Sequence, residues 1–510
     1  MNSTARKTYL GYEALIRSYE LKVPPLRRVY VAAERATELR TVNAEGEELI
    51  ELPRTRVRDA GSLVGELTFA FKREHLNLTV LGALFDRPDV IDELRAWLSD
   101  KSSSKYARMA GYLAEWLTGH EFEYRLPPGA PRVPLLDSRH YVVGTGVSDP
   151  KFGVVNNLIG DRWFSPLVRR TERLDALLAE GLAAKVSEAM DSIEPEMLSR
   201  AVDYLYLAET RSTYGIEDEV PDNNRAARFR HLLELAGEPG PLTEDQLCEW
   251  QSQVVSARSA EYHFRDTQNW LSRSGRLRNI ADFIPPPPSI VPRMMASVAA
   301  VASLASNGTV DPVLAAACAS FGFVFVHPFL DGNGRLHRFL LHHILRQAGF
   351  TPKGVVLPLS ARMLAQLERY STLLKRYSRP RTDLLEYALD ADSATIHVRS
   401  SQPAWLYAYF DATELCEFIL ECCKACVEED LLTEVDYLRA HDATVRDLET
   451  WLDMRQAALN TLIDVIVQGN GELSKRKLKL VEGFSNDEIA RIQATVSEHF
   501  ADYIDRRARK

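Results

Sequence analysis

The sequence predicts a mainly α-helical protein: a helical core carrying a β-hairpin flap, preceded by an α+β region and followed by a helical C-terminal region. Three observations predict it. From Glu194 onward apolar residues recur near helical spacing, beginning with Leu198, Val202, Leu205 and Leu207. That periodicity stops at Tyr262–Phe283, where alternating residues surround Ser274-Gly275 and a proline run, Pro285–Pro288, follows. Before residue 190, short β-like runs mix with helical stretches and turn-rich pieces.

Each element follows from its local pattern. Arg28–Ala33, Leu49–Leu52 and Tyr141–Val143 are β-branched or apolar runs of strand length, and Ala107–Leu117 has helical character. Pro127–Val133 and Ser148–Gly153 read as turns, and Gly144-Thr145-Gly146, without a third glycine or a following helix, reads as a plain loop. Helices are expected over Asn224–Leu235 and Glu244–Ala257, and Pro292 opens another at a favoured early position. Breaks near Arg379–Arg381 and Ser400–Pro403 set off a last region. The expected blocks are therefore 1–190, 191–400 and 401–510.

Composition narrows the function. With 510 residues, two or three domains are expected. A net charge of −9, from 62 basic and 71 acidic residues, argues against a general nucleic-acid coat. The longest apolar runs, Val313–Val326 and the alanine-rich stretch around Met294–Ala305, fall short of the roughly 20 residues a membrane span needs, so no membrane partner is expected. The N-terminus has no apolar stretch of signal-peptide length. Cys416, Cys422, Cys423 and Cys426 fall in a continuous helical pattern and read as small core residues in a reducing compartment, a cytoplasm.

The chemistry concentrates in FVFVHPFLDGNGRLHRFLLHHIL, residues 323–345. Pro328 disfavours helical geometry at His327, so an apolar helix ends there. A second helix starts after Asp331-Gly332-Asn333-Gly334, and its first amides, flanked by glycines and aligned with the helix dipole, suit phosphate. Arg335 and Arg338 sit in its first turns, where cations oppose the dipole. A local rule broken twice at one place points to function, and two arginines facing a polyphosphate would reverse the sign. Asp331 adds a hard oxygen suited to Mg2+. His327, with an ordinary pKa near 6.5, can take a proton from a hydroxyl at neutral pH. His337, His342 and His343 do not have metal-ligand spacing and are assigned to packing and surface roles.

HPFLDGNGRLHR resembles the Fic signature, His-Pro-Phe-x-Asp/Glu-Gly-Asn-Gly-Arg-x-x-Arg, at every defined position from His327 to Arg338. The resemblance implies a protein adenylyltransferase that moves AMP from ATP to a Ser, Thr or Tyr hydroxyl. By that likeness His327 deprotonates the hydroxyl, Asp331 holds Mg2+ and Phe329 packs the loop into the core. Gly332, Asn333, Gly334 and Arg335 would grip the α- and β-phosphates, with Arg338 at the γ-phosphate. The segment 267–283 resembles the Fic flap, which would hold a target peptide by strand addition. The stretch 357–378 resembles the helix after the signature, with Tyr370 lining the adenine pocket.

ETRSTYGIEDE, 209–219, resembles the inhibitory motif Ser/Thr-x-x-x-Glu-Gly/Asn, through Thr213 and Glu217, with Asp218 where Gly or Asn is expected. A carboxylate paired with Arg338 would exclude productive ATP. Expected substrates are a target protein and the chain itself, and a homodimer is among the expected states. The alternatives are AMP removal or another Fic-type transfer, and a nucleotide-sensing module. Near the C-terminus, Lys475, Arg476, Lys477 and Lys479 precede a helix capped near Ser485, a layout that suits a small winged-helix-like element.

Overall fold

A computed structural model describes residues 8–504, apart from 58–59, 192, 273–279, 391–394, 474 and 502. Its contacts gather the chain into two compact units, each drawn from three separated segments. One unit comprises Met1–Ala179, Asp222–Gly349 and Gln366–Leu420; the other comprises Glu180–Pro221, Phe350–Ala365 and Glu421–Lys510. These units do not follow the blocks 1–190, 191–400 and 401–510. The reason is packing: helix Pro195–Gly215 lies against the helices Leu359–Ala365 and Leu432–Glu449, far from it in sequence.

In the first unit a four-stranded sheet is ordered Thr8–Leu10, Arg28–Ala33, Glu48–Pro53, Leu39–Val42. Arg28–Ala33 runs parallel to Glu48–Pro53, with Arg28 opposite Glu48 and an ion pair of 2.6 Å across the rung. Leu10, Tyr30, Ala32, Ile50 and Leu52 fill one face, the alternation a half-buried sheet requires. Helix Lys105–Thr118 covers the expected helical stretch and ends on Gly119 in the left-handed region. Tyr141 does not form a strand; it makes a single bridge to Arg169.

The same unit holds the helices Asn223–Glu234, Glu244–Val254, Val291–Ser306, Pro312–Val326, Asn333–Gln347 and Leu367–Thr382. Pro312–Val326, here the presenting helix, is apolar on all sides and packs against Val291–Ser306 and Asn333–Gln347. Asp311 caps its start, accepting from the amides of Val313 (2.9 Å) and Leu314 (3.3 Å). The continuous stretch Pro288–Ser306 has the length and apolar composition of a membrane span, with a mean hydropathy of 1.4; its buried face, including Met294, Val298 and Val301, is that of a core helix. Helix Leu367–Thr382 runs through Pro380 to Thr382, so the break expected at Arg379–Arg381 falls one residue late; a proline in the last turn leaves most of the helix intact. A hairpin, Tyr387–Asp390 with Thr395–Val398, follows.

In the second unit, the helices Leu432–Glu449, Gln456–Gln468 and Asn486–His499 close around Leu459, Leu462, Ile463, Ile492, Val496 and Phe500. Ser485 and Glu488 form a capping box at the last of these helices. Among the described residues of this unit there is no strand, so a winged-helix-like element lacks its wing. Lys477 and Lys479 are exposed. The side chains of Lys475 and Arg476 lie outside the described residues. None of the six cysteines is in a disulfide and all are buried, in keeping with core packing.

Candidate active site

The presenting helix ends at His327 in the left-handed region, φ 53°, ψ 60°. Pro328 bars the ordinary helical conformation at this position, and a left-handed non-glycine residue stores about 1–2 kcal/mol of strain. The ring is 7% exposed. Its Nδ1 lies 3.2 Å from the carbonyl of Val324, which can only accept, so Nδ1 carries the proton and Nε2 holds the lone pair. Burial, followed at a distance by the charge of Arg265, lowers the His327 pKa to about 4, so the ring is a neutral proton acceptor at pH 7.

Arg265, which no sequence pattern singled out, fixes this geometry. Its Nε donates to the carbonyl of His327 at 2.8 Å, its Nη2 to Pro286 at 2.6 Å and Val326 at 3.4 Å, and its Nη1 to Thr267 at 3.1 Å. Its amide donates to Pro328 at 2.8 Å. One buried guanidinium thereby satisfies the open carbonyls of a helix C-terminus and ties them to both ends of the segment 267–286. Burial lowers its pKa to about 10, still charged at neutral pH.

The loop 328–332 is held from within and from outside. Asn333 closes it, donating to the carbonyl of Phe329 (2.8 Å) and accepting from its amide (3.1 Å). Gln251 donates to the carbonyl of Asp331 (3.2 Å), Glu261 accepts from the amide of Leu330 (2.9 Å), and Asn269 donates to the carbonyl of Phe329 (3.1 Å). Phe329 is fully buried against Phe264 and Phe323, as the resemblance implies. Gly332 caps the next helix at φ 85°, and a Cβ there would stand 2.8 Å from Val255 Cγ1. Only glycine meets both demands.

Helix Asn333–Gln347, the motif helix, makes its first internal bond from Leu336 to Gly332 (3.0 Å), so the amides before it have no acceptor within the helix. Asp331 is 52% exposed; its Oδ1 accepts from the amide of Gly332 (2.6 Å) and from Arg335 Nη2 (3.1 Å). Arg335 also donates to the carbonyl of Val254 (2.5 Å), so its guanidinium braces the loop rather than standing open for phosphate. Arg338 is 2% exposed, one of the largest fully buried side chains. The asparagine side chain likewise belongs to the loop.

Other expected residues fall elsewhere. Tyr370 is buried among Phe321, His337 and Phe418, with ring centroids 6.1–6.3 Å apart, so its ring belongs to the core and not to an open adenine pocket. His337, His342 and His343 are all buried; none is a surface residue. His337 donates to Ser320, and burial lowers its pKa to about 3. The flap strands are Leu271–Ser272 and Ala281–Phe283, antiparallel, and its tip with Ser274-Gly275 lies outside the described residues. In the second unit Thr213 is buried at the end of helix Pro195–Gly215 and Glu217 is half-buried in the turn after it. Asp218 sits at φ 56°, in the left-handed region that glycine and asparagine enter most readily.

Fold and site together define a domain in which one helix delivers a neutral histidine beside the N-terminus of the next. Residues 241–345 match the model of the Fic/DOC family. Protein adenylyltransferase fic-1 of Caenorhabditis elegans is 33% identical over 147 residues, 28% of this chain and 27% of that protein. Protein adenylyltransferase Fic of Drosophila sechellia is 35% identical over 79 residues, 16% of each. The chain thus covers about a quarter or less of these relatives. A solved Fic family protein from Desulfovibrio desulfuricans G20 aligns with a TM-score of 0.37 at 20% identity, covering 66% of this chain and 91% of that one.

Proposed function

We propose that this chain is a protein adenylyltransferase that moves AMP from ATP to a Ser, Thr or Tyr hydroxyl of a target protein or of itself. One observation carries the reading: His327 presents an unprotonated Nε2 in a fixed ring, beside a helix N-terminus with open amides. The names of the relatives matched over the same segment support it.

In this mechanism His327 Nε2 takes the hydroxyl proton as the oxygen attacks the α-phosphorus. The new P–O bond forms while the bond to the bridging oxygen breaks, and pyrophosphate leaves. The amides of Asn333 and Gly334, with the buried charge of Arg338, hold the phosphates in place. Arg265 and Asn333 keep the loop from moving as charge develops. The segment 267–283 receives the target backbone as an added strand.

Mg2+ fits the donor set. Asp331 offers a half-exposed carboxylate, and among the described residues no group of three His, Cys, Asp or Glu side chains could hold a metal. The ion would be shared by Asp331, phosphate oxygens and water, and would supply positive charge to those oxygens. We assign Glu217, with Thr213, as a restraint on transfer, on the strength of the motif and its left-handed turn at Asp218.

The test uses ATP labelled at the α-phosphate. Full-length Glu217→Gly is expected to label itself or proteins of a host lysate well above the unsubstituted chain. Adding His327→Ala is expected to remove that label. Full labelling by the doubly substituted chain would overturn the reading.

A further inference from the structure

The first unit contains a second site, made of residues from the N-terminal sheet, the segment 74–80 and residues 373–415, and sharing no residue with the loop 327–338. It is a cavity of about 550 Å³, within the range that holds a small organic ligand. Five arginines line it; buried Arg381 donates to the carbonyls of Leu406, Tyr377 and Tyr409, and three carboxylates answer the other four. Arg28 Nε pairs with Glu48 (2.6 Å), Arg169 Nε with Asp411 (2.6 Å), and Glu414 is shared by Arg27 Nη1 (2.6 Å) and Arg376 Nη1.

Each oxygen of these three carboxylates already takes a donor. The second oxygen of Glu48 takes Arg40 at 2.7 Å, and that of Asp411 takes the amide (3.0 Å) and hydroxyl (2.5 Å) of Thr413. The donors are not all taken. Both Nη groups of Arg169, and Nη2 of Arg27 and Arg376, have no acceptor among the described residues. Arg28 Nη1 donates to His75 Nε2 at 2.9 Å, which leaves the proton of that ring on Nδ1, 3.1 Å from the hydroxyl of Tyr141. The same hydroxyl accepts from the amide of Leu76 at 3.1 Å. With both lone pairs taken, buried Tyr141 can only donate its own proton.

Three further carboxylates line the cavity, so arginines and ionised carboxylates balance, and what the cavity offers an anion is its open donors rather than net charge. Glu45 and Glu47 are exposed, and burial pushes the Glu74 carboxyl up to about 8, so it is mostly neutral at pH 7. Arg376 is held below its ordinary value by burial and by the nearby charge of Arg27. The remaining wall includes Leu78, Phe410 and Leu415.

We infer that this cavity binds a small organic oxyanion, a phosphate or carboxylate carried on an apolar body, through the open guanidinium forks of Arg169 and Arg376 and the hydroxyl of Tyr141. Planar forks suit both anions, and the apolar wall suits the body.

Calorimetric titration of the full chain with phenyl phosphate, phenylacetate and benzylamine tests this. Saturable binding of one or both anions, weakened about tenfold or more in Arg169→Gln and in Arg376→Gln but retained in Arg338→Ala, is the expected result. Whichever anion binds tighter names the headgroup. Arg169→Lys, which keeps the charge, guards against a folding defect and is expected to bind with intermediate strength. No binding of either anion, equal binding of benzylamine, or loss only in Arg338→Ala would overturn the inference.

Discussion

At the scale of single residues, the site is a set of side chains whose hydrogen bonds decide protonation. The neutral state of His327 comes from burial first, and the bond from Nδ1 to Val324 selects which nitrogen is the base. Arg265 contributes positive charge that disfavours a second cation at His327. Arg265→Met removes that charge, so the His327 pKa rises and the acid limb of the rate–pH profile, near 4 in the unsubstituted chain, moves to higher pH. Transfer at neutral pH is expected to fall about tenfold or more, through lost positioning; an unchanged limb would contradict the role. Asp218 supplies a second expectation. Glycine relieves a left-handed strain of about 1 kcal/mol. Asp218→Gly is therefore expected to strengthen the restraint and lower basal labelling, opposite in sign to Glu217→Gly. Equal labelling by both would sever the turn from regulation.

At the scale of elements, the decisive unit is helix, loop, helix. The sequence made this unit legible because the rules that shape it are local: Pro328 acts on the residue before it, and glycine at 332 meets a positive φ. The bounds of Arg28–Ala33 were readable from its own run of residues, whereas the motif helix begins at Asn333, two residues before the expected place. Arg265, Gln251, Glu261 and Asn269 were not, since each acts across many residues of sequence and a lone polar residue carries no spacing to read. Tyr370 was misplaced because an aromatic at helical spacing looks the same whether it faces a ligand or Phe418. Arg335 was assigned to phosphate by its position, whereas the structure commits it to Val254 and Asp331. Gly332→Ala tests the element directly. Its Cβ would meet Val255 at 2.8 Å at a φ that favours glycine, so the start of the motif helix must shift. A loss of transfer of about a hundredfold with a retained melting transition is expected, and retained activity would show that the helix start need not be so placed.

At the scale of the whole molecule, the chain returns to each unit three times, which consecutive blocks of sequence could not reveal. Within the second unit, buried Glu209 accepts from the amide (2.7 Å) and hydroxyl (2.5 Å) of Ser360, and Arg362 pairs with Asp430 (2.5 Å). These contacts tie segments more than sixty residues apart. Glu209→Ala leaves buried donors without an acceptor, at about 1–3 kcal/mol. Differential scanning calorimetry is expected to show a lowered transition for this variant; an unchanged profile would mean that the contact contributes nothing to stability.

The central claim is that the loop and helix start between residues 327 and 338 hold a triphosphate beside a separate proton acceptor. Calorimetric titration of ATP into His327→Ala in the Glu217→Gly background, read together with transfer from α-labelled ATP, tests it most directly. ATP affinity is expected to stay within about threefold of that of the Glu217→Gly chain, with no transfer. Transfer at the full rate, or loss of ATP binding along with it, would contradict the division of roles on which the mechanism stands.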